Sequence, residues 1–347
     1  MLKFGLEFEG TETKQLLAHN FPRFSVGTDG SIRTEGTKAY EDLPDNWRCQ
    51  YSNQGVEYIS DVFSMDEMFT TPILNVLNYM DCCGEQCRAN NSIHIHTSDG
   101  ESFNVGHLVE FYKFARDIVD RDLFNISVPQ NSTQHRGMFN EFIYCRPLVS
   151  PPWTLQYGSS NYYKPAIGEI SEVQSSHDFL YAMGRLDLDH NKWVPPRYTS
   201  INFVNSLIGF HTVEYRVFNF TTDINTVIAW TLYCSGVTSL IKRNTYDKYS
   251  IEYCVKKSAE VAKLDADFYI DILRKSYTNV YDSINMGKVL SHTGRYIDWL
   301  GGETGAETYD LLSPQEYCRE DDLIKVRNVH PTDCLEKNPT NLEVLYV

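Results

Sequence analysis

Apolar and polar residues alternate along three well-separated stretches of the chain, and each alternation predicts a strand with one apolar and one polar face. In "KFGLEFE" (3–9), Phe4, Leu6 and Phe8 share one face while Glu7 and Glu9 share the other. In "NSIHIHTS" (91–98), Ile93 and Ile95 oppose His94 and His96. In "HTVEYRVFNF" (211–220), Val213, Tyr215 and Val217 oppose Glu214 and Arg216. A weaker alternation, "GVEYIS" (55–60), predicts a further strand carrying Glu57.

Other stretches carry helix signals. Ser64 and Glu67 have capping-box spacing and predict a helix running through "TPILNVLNYM". Asn104 is placed to cap a second helix with Val105, Leu108, Val109, Tyr112, Ala115 and Val119 on one face. The segment from about 125 to 195 is rich in Tyr, Pro, Ser and Asn and reads as loops or lids, where substrate selection usually resides. "RYTSINFVN" (197–205) reads as another strand. Beyond Asp223, a predicted cap, the chain reads as mostly helical to about residue 300, and from about 303 as acidic and irregular. The apolar run "TVIAWTLYCSGVTSLI" is interrupted by Thr, Ser and Gly and reads as a buried helix, short of the roughly 20 residues of a bilayer span. The expected class is α+β: a catalytic-type domain over 1–245 on a mainly antiparallel sheet, then a helical extension with an acidic tail over 246–347.

Composition narrows the partners. A length of 347 residues with 42% hydrophobic content is enough for one large core. A formal net charge of −15, with no run of Lys or Arg, predicts no nucleic-acid partner. No membrane partner is expected either, and self-association stays open. Acids near the N-terminus stand where a leader would need apolar residues, so a cytoplasmic protein is expected. The nine cysteines are scattered as free thiols would be, and "CCGEQC" (Cys82, Cys83, Cys87) lacks the paired spacing of a zinc site.

The polar faces carry the chemistry. One-sided alternation alone needs only a solvated sheet face. Such a face, however, favours Thr, Lys, Ser or Gln, and Glu-x-Glu is a poor strand sequence unless its charges are used. If the sheet brings these faces together, at least four acids, two imidazoles and one guanidinium converge, and like charges that close require a cation. Carboxylates with an occasional imidazole suit Mg²⁺ or Mn²⁺, whereas zinc favours His and Cys in the majority. Magnesium is usually shared with substrate phosphates, which points to nucleotide chemistry without a phosphate loop, since neither GxxxxGK[ST] nor GxGxxG follows any predicted strand.

The ordered motifs "GLEFEG", "DGSI" (29–32), "GVEYIS", "HIH", "RYTSIN" and "VEYR" resemble the amidoligase family of the carboxylate–amine ligase superfamily, which includes glutamine synthetase and glutamate–cysteine ligase. The resemblance spans roughly residues 2 to 225. It implies a strongly curved sheet of the glutamine synthetase catalytic type with helices on its outer face. It also implies an ATP-dependent enzyme that joins a small-molecule or peptide carboxylate to an amine through an acyl phosphate. By motif, Glu7, Glu9, Glu57 and Glu214 would be metal ligands, one of His94 and His96 would contact metal or nucleotide, and Arg216 would face the phosphoryl group in flight.

The match has departures. "RANNSIHIH" lacks the glycine-rich approach of relatives, and the C-terminal helical third lies outside the resemblance. Arg197 and Asn202 are placed either to contact nucleotide or substrate or to face solvent. Asp29 is either catalytic or a turn residue of its Asp-Gly pair, and Lys164 either binds a carboxylate or is solvated. Two other functions fit the same residues: a metal-dependent hydrolase using the His/Glu cluster, and a non-catalytic protein retaining the fold.

Overall fold

The computed structural model describes residues 2–10, 19–29, 55–68, 71–85, 91–100, 103–115, 118–129, 162–163, 179, 185–187, 192–194, 199–207, 211–278, 288–290 and 296–298. Its main sheet is built from β1 (Lys3–Gly10), β2 (Phe24–Asp29), β3 (Gly55–Ser60), β4 (Phe63–Ser64), β5 (Ser92–Ser98), β9 (Ile201–Asn202) and β10 (Val213–Asn219). The spatial order is β2-β3-β1-β5-β10-β9, with β4 paired to the start of β1 and every pairing antiparallel. Between β5 and β9 in sequence, β6 (Tyr162–Tyr163), β7 (Arg185–Asp187) and β8 (Lys192–Val194) form a separate small sheet.

One face of the main sheet makes the core. Phe4, Leu6, Phe8, Val56, Tyr58, Ile93, Ile95, Val213 and Tyr215 are buried there in one hydrophobic cluster. The helices supply the opposing layer: α1 (Thr71–Cys82), α2 (Val105–Ala115), α3 (Val119–Ile126), α4 (Val204–Leu207), α5 (Ile224–Arg243), α6 (Ile251–Ala262) and α7 (Ala266–Ser276). The caps explain several boundaries. The Asn104 side chain accepts the His107 N–H at 3.3 Å. Asp223 accepts the Asn225 N–H at 3.1 Å and the Thr226 hydroxyl at 2.6 Å. Asn244 ends α5 in the left-handed region, φ 54°.

Several elements differ from expectation. Glu67 does accept the Ser64 N–H, at 2.8 Å, but this box closes only the 3₁₀ turn Met65–Glu67. The helix proper starts at Thr71, with Pro72 in its first turn, where a missing N–H costs nothing. Val119 opens α3 instead of extending α2. The strand expected over 197–205 is reduced to β9, because Val204 already begins α4. Helix ends at Ser276, and the hairpin β11 (Lys288–Leu290) with β12 (Tyr296–Asp298) stands where more helix was expected.

The central helix α5 is long and apolar enough to cross a membrane by length and composition, yet 89% of that window is buried inside the protein. Its length therefore does not separate it from a membrane span; its burial identifies it as a core helix. Its hydroxyls are satisfied internally. Thr231 donates to the Val227 carbonyl at 2.8 Å, and Thr238 bonds the Thr97 hydroxyl and, at 2.9 Å, that of Tyr215. Trp230 stacks on Phe218 and donates to the Ile126 carbonyl at 2.8 Å, tying α5 to β10 and α3.

α6 crosses α5 at Gly236, where an added Cβ would lie 2.3 Å from the Cys254 carbonyl oxygen and 2.5 Å from its Cα. Both atoms are backbone, so the helices must separate to admit a methyl group. Gly236→Ala is expected to destabilise the fold by about 3 kcal/mol, the upper range for overpacking, read as a lower midpoint in urea unfolding.

Candidate active site

The opposite face of the same sheet is polar and largely withdrawn from solvent: Glu9 is 1% exposed, His94 2%, Glu214 3% and Arg216 7%, while Glu7, Glu57 and His96 are half-buried. Register explains the convergence. Glu7 pairs with His94 across β1 and β5, Glu9 with Glu57 across β1 and β3, and Glu214 with His96 across β10 and β5. Side chains directly opposite on one face are close enough to touch. Four adjacent strands thus place the predicted acids, imidazoles and guanidinium side by side.

Glu7 is the centre of the group. One of its oxygens lies 2.8 Å from His94 Nδ1 and the other 2.8 Å from His96 Nε2. The His96 nitrogen is buried and makes no aligned hydrogen bond among the described residues, so its contact with Glu7 is an ion pair. His94 Nε2 lies 3.1 Å from the Ser92 hydroxyl oxygen and 3.5 Å from Glu9. Ser92 also donates to Glu9. Arg216 donates to one Glu214 oxygen, and the Asn202 amide donates to the other at 2.6 Å.

These neighbours set the protonation states. Burial pushes the Glu7 carboxyl up, but the His96 charge and hydrogen bonding from His94 outweigh it and hold Glu7 well below the usual carboxylate range. Burial likewise raises Glu214, and Arg216 and His96 bring it below its ordinary value. Burial lowers His96, while the carboxylates of Glu7 and Glu214 raise it further, to about 9. In the cation-free protein, His96 carries the positive charge that the two carboxylates demand.

Among the described residues, two donor sets could hold cations. Ligand atoms of Glu7, Glu57 and His94 all lie within 4.8 Å of one another, and so do those of Glu7, His96 and Glu214. Each set offers two carboxylates and one imidazole, and Glu7 belongs to both. These sets fit hard divalent cations of the Mg²⁺ or Mn²⁺ kind. Glu9 belongs to neither set, and its contacts with Ser92 and His94 make it a support for the first.

Asn202 sits against Glu214 and is buried, so the solvent-facing alternative is removed. Arg197 and Lys164 lie outside the described residues, as do Gly30 and the residues after it on which the reading of Asp29 depends. Ser92 was not singled out by sequence, although it shares parity with His94 and His96 in "NSIHIH" and belongs to the same row. Cys82 is an exposed thiol at the end of α1, and Cys83 is half-buried just after it, beside Tyr79.

A row of acids and imidazoles with one guanidinium, partly buried on the face of an antiparallel sheet backed by helices, defines a mixed helix-and-sheet protein with two clusters of candidate cation ligands. A family model described as putative amidoligase enzyme matches residues 2–238, which include the whole row, and the chain belongs to that family. No curated protein matches the chain.

Proposed function

We propose that the chain is an ATP-dependent carboxylate–amine ligase that works on a sheet of the glutamine synthetase catalytic type. The observation that supports this most is the sharing of Glu7 by two candidate cation donor sets on a largely buried face that also carries Arg216. Glu7, Glu57 and His94 would hold one Mg²⁺ or Mn²⁺ and Glu7, His96 and Glu214 another; bound there, the ions supply charge neutralisation for the nucleotide phosphates.

The chain's own residues do the rest. Arg216 meets charge on the γ-phosphoryl oxygens as they leave ATP, and its bond to Glu214 fixes the guanidinium plane. A substrate carboxylate oxygen bonds to the γ-phosphorus as the bond to ADP breaks. An amine then attacks the acyl phosphate carbonyl, releasing phosphate and a proton and leaving an amide. The low exposure of Glu9, His94, Glu214 and Arg216 would limit water around that intermediate. The substrates are a small-molecule or peptide carboxylate and an amine, met in the cytoplasm.

Calorimetric titration of a non-hydrolysable ATP analogue tests this. Binding that requires Mg²⁺, and that weakens in Arg216→Met, is expected, followed by ADP release when the right carboxylate and amine are added together. A metal-dependent hydrolase is the second reading, favoured by the two imidazoles that flank Glu7. It would bind cations with no dependence on nucleotide, and its hydroxide would not call for a neighbouring guanidinium.

A further inference from the structure

Asp120 is fully buried in the first turn of α3, away from the row of acids on the sheet, and a carboxylate is costly in such a place unless it is hydrogen-bonded. Its side chain accepts the hydroxyl of Ser200, also fully buried, just ahead of β9. The Ser200 carbonyl in turn accepts the backbone N–H of Arg216 at 2.9 Å. That bond matters because the pairing of β10 with β5 shifts register between Tyr215 and Phe218. At a bulge the ladder is interrupted, and the side-chain direction there depends on whatever else holds the backbone.

The same helix holds the far side of the irregularity. Ser127, immediately after α3, accepts the Asn219 N–H at 3.1 Å. α3 therefore ties both ends of the bulged segment, through Ser200 on one side and Ser127 on the other. We propose that Asp120 is a positioning residue for Arg216: by fixing Ser200 it fixes the bulge that aims the guanidinium across the carboxylate face. This rests on the ligase reading only for what Arg216 does, not for how it is held.

Hydrogen–deuterium exchange and nucleotide affinity together test the proposal, on the wild type, Asp120→Ala, Arg216→Ala and the double variant. Asp120→Ala should speed exchange of the Arg216 amide about tenfold relative to the Val255 and Ala259 amides of α6, which lie outside the main sheet and report global loosening. It should weaken the Mg²⁺–ATP analogue about tenfold in the wild-type background and under about twofold in Arg216→Ala, as expected when two residues act through one another. Asp120→Asn, which keeps an oxygen acceptor for Ser200, should restore most of both. Exchange at Arg216 that rises no more than at Val255 and Ala259, or an affinity loss equal in both backgrounds, would overturn it. If the wild type binds no nucleotide, the proposed function fails, and the exchange comparison still decides whether Asp120 positions Arg216.

Discussion

Replacing Glu7 by Gln should remove cation binding at both donor sets at once. Glu7 places one oxygen beside His94 and the other beside His96, and it is common to both sets, whereas Glu57 and Glu214 each belong to one. A Mn²⁺ titration followed by calorimetry or electron paramagnetic resonance reads the stoichiometry directly. The wild type is expected to take two ions, Glu57→Gln and Glu214→Gln one each, and Glu7→Gln none. The affinity loss in Glu7→Gln should exceed the roughly 10–100-fold that follows loss of an outer-shell partner, because an anionic ligand itself is gone. Two ions remaining in Glu7→Gln would show that the sets do not share this carboxylate and would remove the main support for the proposed chemistry.

The same substitution has a cost without metal. The folded protein holds Glu7 ionised, since His94 and His96 both lie against it, so a neutral amide forfeits that attraction. Cation-free Glu7→Gln is therefore expected to unfold at lower urea than the wild type, by about 1–3 kcal/mol. A carboxylate left facing only other carboxylates would behave in the opposite way, and its neutral variant would be more stable.

Strand parity made most of this face legible in the sequence. Period-2 alternation places Glu7 with Glu9, His94 with His96 and Glu214 with Arg216, and the structure keeps all three pairs. What parity lacks is neighbourhood. That β5 lies between β1 and β10, and β3 on the other side of β1, is fixed by long-range packing of Phe8, Ile95 and Tyr215 against the helical layer, which no local window contains. The bulge at Arg216 was illegible for a related reason: "VEYRVF" alternates without interruption, and the extra residue shows only when β10 is set against β5. Ser92 and Asp120 are short polar residues of ordinary type, and only their partners give them meaning. At 288–290 and 296–298, among the described residues past Ser276, the helical expectation failed because composition there does not distinguish helix from paired strands, with pairing such as Val289 to Ile297 decided by contact.

Stability of the cation-free protein should fall as pH rises from about 6.5 to about 9. His96 has its folded value raised to about 9 from an ordinary 6.5, so its contribution is complete below the unfolded value and is lost as pH climbs through the folded one. A shift of that size corresponds to about 3 kcal/mol at most. Glu7 and Glu214 act in the other direction: their folded values are depressed, so their contribution is present above the ordinary carboxylate range and is lost on acidification. The cation-free protein should then be most stable between about pH 5 and 6.5, where His96 is charged and both acids are ionised. A divalent cation should reverse the alkaline limb, because one held by Glu7, His96 and Glu214 would displace the imidazolium proton and bind more tightly as pH rises. Urea unfolding from pH 5 to 9.5, with chelator and with saturating Mn²⁺, separates the two curves. His96→Gln should flatten the chelator curve above pH 6.5, whereas a wild-type curve already flat there would mean that His96 is neutral and does not balance the two carboxylates.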